Sequence, residues 1–162
     1  MNEIAQFEKI VIEALIAARN FIQEGCEQSF VALNEAGEFN LNNAKHAVAK
    51  ISNRGYEHIS KTLTAPLGKA NPRDYDRVLR KLDQGKMCPN TATKYAMSLH
   101  LNRLLEAMRD LVTGRVIGKF DESNKLTTHR ATEIVRQQTD NTCFELGSMF
   151  NGMLSDQLRA FA

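Results

Sequence analysis

From Ile4 onward, apolar residues recur at Phe7, Val11, Ala14/Leu15, Ala18 and Phe21/Ile22. Spacings of three and four put these positions on one face of a helix. Ile10, Ile12 and Ile16 widen the stripe, as suits a helix packed against several neighbours. Gly25 is expected to weaken or kink this helix, with a further turn or two through Phe30 and Leu33 and a C-cap near Gly37. Asn40 caps the next helix, whose core positions are Leu41, Ala44, Val48, Ile51, Ile59 and Leu63, with an interruption at Gly55. Pro66 and Gly68 mark residues 64–70 as a loop.

Asn71-Pro72 pairs an N-cap with proline at the first helical position, predicting a helix to about Gln84 that stops at Gly85. Another opens at Pro89-Asn90-Thr91 and is expected to end at Gly114, with a polar connection over 118–125. It carries Met97, Leu101, Leu104, Leu105, Met108, Leu111 and Val112 on one broad face, with Tyr95 and Leu99 nearly opposite. Thr128 is the expected cap of a last helix. Its apolar positions run on to Leu158 and Phe161, a length of about 50 Å if Gly147 and Gly152 do not bend it. No segment alternates with a period of two. The pattern predicts an all-α bundle of five or six helices with a long C-terminal helix, one domain over residues 1–162.

Composition narrows this only slightly. With 162 residues, 43% hydrophobic and 25% charged, the chain can bury a core without disulfides or metal. The apolar stretch from Ile10 to Ala18 is broken by Glu13 and is too short to cross a bilayer. Glu3 and Glu8 occupy the place of a basic signal-peptide head, so no membrane partner is expected. Cys26, Cys88 and Cys143 are odd in number and widely spaced, as expected of buried thiols in a reducing cytoplasm.

Charge changes the picture more. The net +2 is a sum of −4 over residues 1–37, +8 over 38–120 and −2 over 121–162. An acidic N-terminal helix, a basic helical core and an acidic C-terminal helix follow. All three tyrosines lie in the basic middle. Such a surface attracts nucleic-acid phosphates, DNA or RNA. Acidic and basic helices packing against each other, within the chain or across a self-association or protein–protein interface, would produce the same segregation.

On the helix from Pro72, Arg73, Arg77, Arg80 and Lys81 fall within an arc of about 100°, with Tyr75, Val78, Leu79 and Leu82 opposite. Asp74–Arg77 and Asp76–Arg80 can pair weakly along it. The expected nucleic-acid contacts are Arg73, Arg77, Arg80, Lys81, Lys86 and Lys94, with Arg103 weaker, and Tyr95 and Tyr56 as surface aromatics.

Between Asp74 and Met108, a short amphipathic helix is followed by Pro89-Asn90-Thr91, Lys94-Tyr95 and Leu99. This stretch resembles the SAM-like core-binding domain of tyrosine recombinases, where such a cap opens a helix with tyrosine and leucine at these spacings. The resemblance implies a DNA-gripping module. It covers about a fifth of the chain, loses phase at Leu104-Leu105, and is followed by no recombinase catalytic set.

No catalytic or cofactor signature is present locally. His46, His58, His100 and His129 are dispersed, and no phosphate-binding glycine loop or nucleophile motif occurs. His129 and Glu133 stand one helical turn apart, a spacing that reads as a surface pair rather than a metal site. The sequence thus points to binding rather than catalysis. The leading expectation is a nucleic-acid-associated accessory protein. The alternative is a protein–protein interaction module, an adaptor, inhibitor or subunit of a helical assembly.

Overall fold

The computed structural model describes residues 3–64 and 89–159, with side chains described over 9–62 and 100–149. Four helices occupy these residues: α1 (Glu3–Glu35), α2 (Leu41–Thr64), α3 (Pro89–Glu122) and α4 (Thr128–Arg159). The all-α class is as expected. The helix anticipated from Pro72 lies outside the described residues, so the bundle seen here has four.

Each helix packs on the next, and α4 closes back onto α1, while α1 and α3 touch across the diagonal. Neighbours run antiparallel. Gly25 lies against Ile51 and Gly55 against Phe21, so α1 and α2 count in opposite directions. Gln23 meets Thr139 and Leu15 meets Gly147, which fixes the same relation for α1 and α4.

The core stripe of α1 is Val11, Leu15, Ala18, Ile22, Cys26 and Phe30, and that of α3 is Leu101, Leu105, Met108, Val112, Val116 and Phe120. Both step by 4, 3, 4, 4, 4, covering 19 residues in five turns. That period exceeds the 3.5 of a heptad seam, so these stripes do not specify a left-handed coiled coil. Phe30 and Phe120 end the two stripes together, ring centroids 6.2 Å apart, with Phe39 edge-on to Phe30.

The caps are built much as the sequence suggests. Gly37 adopts φ 70°, the Glu38 amide donates to the Leu33 carbonyl at 2.8 Å, and the Gly37 amide donates to Asn34. This is the paired hydrogen-bond arrangement that a left-handed residue after a helix permits. Asn40 caps α2 through its side chain, which accepts from the Asn43 amide at 2.8 Å. The α4 cap is Thr127 rather than Thr128, its hydroxyl accepting from the Arg130 amide.

The glycine breaks do not occur. α1 passes straight through Gly25, α2 through Gly55, and α4 through Gly147 and Gly152. Gly25 and Gly55 are points of close helix approach: a Cβ on Gly25 would lie 2.7 Å from Cγ2 of Ile51. α3 does not end at Gly114 but continues to Glu122. Val116 and Phe120 are fully buried, and their burial outweighs the roughly 1 kcal/mol each that Gly114 and Gly118 cost an exposed helical face.

Candidate functional site

The expected nucleic-acid contacts are only partly placed. Arg73, Arg77, Arg80, Lys81 and Lys86 lie outside the described residues. Lys94 and Tyr95 lie on the first turns of α3, in a stretch whose side chains are not described. Arg103 is exposed on α3. Tyr56 is half-buried, and the Arg109 guanidinium lies over its ring, 4.7 Å from the centroid. Burial, followed by the negative charge of Glu106, raises the Tyr56 pKa above its ordinary value. Arg109 also donates to Asp110 at 3.0 Å, which raises its own pKa.

Several described cations are engaged inside the bundle. Lys45 on α2 pairs with Asp121 on α3. Arg115 on α3 pairs with Glu145 on α4 and donates to the buried Thr142 hydroxyl. Arg19 on α1 lies 3.7 Å from Asp140 on α4. Three of the four seams between neighbouring helices therefore carry a cross-seam ion pair. Among the described residues, the α1–α2 seam carries none.

The α1–α4 seam has two halves. At Gln23 it is polar: Nε2 donates to Thr139 Oγ1 at 2.7 Å and to Asp140 Oδ1 at 2.8 Å. Thr139 is fully buried, and its hydroxyl donates in turn to the Val135 carbonyl. Toward the α1 N-terminus the seam opens into an apolar groove of about 600 Å³, lined by Ile12, Leu15, Ile16, Cys143, Phe144 and Gly147 among others. Phe144 is 78% exposed, Ile12 46% and Ile16 38%. The Arg19–Asp140 pair borders it, two opposite charges that offset each other.

The extra breadth of the first stripe, Ile12 and Ile16, is thus partly open to solvent among the described residues. Phe144 carried no signal in the apolar periodicity, because it stands off the core face of α4. Cys143 lines the groove and burial raises its pKa, while Cys26 is buried in the core and pushed up to about 12. Both are therefore thiols at neutral pH, without the activation a nucleophilic cysteine needs.

Among the described residues, no group of three or more His, Cys, Asp or Glu side chains could hold a metal ion. Glu133 is engaged by Arg130 at 3.0 Å. His58 stacks on Phe21 at 5.7 Å. No helix among the described residues is long and apolar enough to cross a membrane. Comparison with family models, with curated proteins and with solved structures finds no match for this chain.

Proposed function

We propose that this protein is a protein–protein interaction module that receives an apolar helix in the groove between α1 and α4. The observation that carries this is Phe144, 78% exposed beside the exposed Ile12 and Ile16. A groove between two antiparallel helices, mostly apolar in its lining, with Asn141 and Ser148 beside the apolar side chains and the Arg19–Asp140 pair neutral at its border, suits the apolar face of an amphipathic helix. Large aromatic side chains at the centre of a contact surface contribute a disproportionate share of binding energy.

A photo-reactive phenylalanine analogue at position 144 tests this in cell extract. It is expected to crosslink a discrete protein, and Ile16→Glu is expected to abolish that product. Diffuse labelling, or a product unaffected by Ile16→Glu, would sink the reading.

A second reading, contact with the nucleic-acid phosphate backbone, is favoured by the +8 middle of the chain and by the outward position of Arg103. It rests chiefly on Arg73, Arg77, Arg80, Lys81 and Lys86. Titration with duplex DNA and with RNA at low salt separates the two readings. Binding that weakens steeply with salt and falls on charge reversal at Arg77 and Arg80 supports it, and no binding at low salt removes it.

A further inference from the structure

The α1–α2 face carries opposite charges on its two walls. Along the outer side of α1, Glu13, Glu24 and Glu35 are exposed. Along α2, Lys50, Arg54 and Lys61 are exposed, with Glu57 between them. Ser29, Ala32 and Ala47 line the furrow between the helices, a floor low enough for another surface to approach closely. Among the described residues, none of these α1 glutamates and none of these three α2 cations takes part in an ion pair. The other three seams pair their charges across the gap, and this one presents them outward.

The register of the two helices makes the pattern specific. Gly25 lies opposite Ile51 and Phe21 opposite Gly55, so each step along α1 is a step back along α2. Glu24 is therefore level with Ser52, midway between Lys50 and Arg54. Glu13 falls level with a point about two residues beyond Lys61. Offsets of two residues amount to about 3 Å along the axis, within reach of long side chains.

A two-fold axis in the plane of this face and parallel to the helices keeps every level unchanged. It sets α1 of one copy over α2 of the other. Glu24 then meets Lys50 and Arg54 of its partner, and Glu13 meets Lys61, each contact occurring twice. An axis across the helices would instead stack α1 on α1, acid against acid, which like-charge repulsion disfavours.

We infer that the α1–α2 face is the surface on which a second copy of this chain docks, with the two-fold axis parallel to the helices. An interface of this kind is self-complementary by symmetry. The overlap is adequate: α2 is about 36 Å long and two adjacent helices are about 20 Å wide, giving roughly 700 Å² per partner. Standard stable interfaces bury about 600–1,000 Å² per partner, and this overlap falls at the lower end of that range. This face lies on the other flank of α1 from the apolar groove, and the inference does not depend on that groove's role.

Sedimentation of the full chain tests it. Dimer is expected at 20 mM salt, with at least a tenfold weaker association at 500 mM. Glu13→Lys with Glu24→Lys should be monomeric, as should Lys50→Glu with Arg54→Glu and Lys61→Glu. An equimolar mixture of these two variants should restore a dimer, because a face made basic then meets one made acidic. Circular dichroism checks that both variants fold. Should a reversal not fold, Lys50→Gln with Arg54→Gln must still weaken the dimer. Phe144→Ala should leave it unchanged. A monomer at low salt would overturn the inference, as would a dimer indifferent to both reversals. So would a monomer whose α2 row binds a short DNA duplex and loses it on Lys50→Glu with Arg54→Glu, since that row would then serve a polyanion.

Discussion

The two flanks of α1 meet their neighbours in contrasting ways. Against α2 the helices come together at glycines, with Gly25 on Ile51 and Gly55 on Phe21, and leave opposite charges facing outward. Against α4 they are joined by Gln23 and the Arg19–Asp140 pair, and leave apolar side chains facing outward. Where a seam satisfies its polar groups internally, its exposed remainder is apolar. Where it packs through small residues, its charges stay available. One helix thus presents two surfaces suited to partners of different chemistry.

Gly25→Ala strikes the close-packed seam. Its Cβ would fall 2.7 Å from Cγ2 of Ile51, a methyl fixed at the β-branch and unable to swing away. Overpacking costs about 1–3 kcal/mol and the gain in helix propensity returns up to about 1 kcal/mol. Urea denaturation should therefore show a net loss. On the opposite seam, Gln23→Ala removes the two short hydrogen bonds to Thr139 and Asp140 and a long one to the Arg136 carbonyl. The Thr139 hydroxyl keeps its bond to Val135, so no buried group is orphaned and the loss should stay near 1–2 kcal/mol. The smallest effect has the opposite sign. A Cβ on Gly147 would sit 4.0 Å from Leu15, an ordinary contact, so Gly147→Ala should gain about 0.5–1 kcal/mol by chemical denaturation. If Gly25→Ala stabilises or Gly147→Ala destabilises, the distinction between a tight and an open seam fails.

Much of the architecture was legible in the sequence, because spacings of three and four leave little choice of element. The caps at Gly37 and Asn40 were readable from single residues. The supposed breaks at Gly25, Gly55 and Gly114 were not, because tertiary burial of Ile51, Phe21, Val116 and Phe120 overrides a local propensity of about 1 kcal/mol. Charge segregation was visible as a sum over segments. Which charges pair was not, since Lys45–Asp121 and Arg115–Glu145 depend on register between helices. The α2 row of Lys50, Arg54 and Lys61 lies within the same sums, but a sum over a segment does not set it apart from the cations at 71–94. Phe144 could be recognised only once the core face of α4 was known.

Connectivity gives the two flanks of α1 different histories. A five-residue connection at 36–40 joins α1 to α2, whereas α4 follows α1 by more than ninety residues. Closing a short loop costs less entropy than closing a long one. During synthesis the charged face needs only the first hairpin, while the apolar groove needs the last helix to arrive and dock. The charged face thus draws on neighbours in sequence, and the groove forms only on a bundle that has closed.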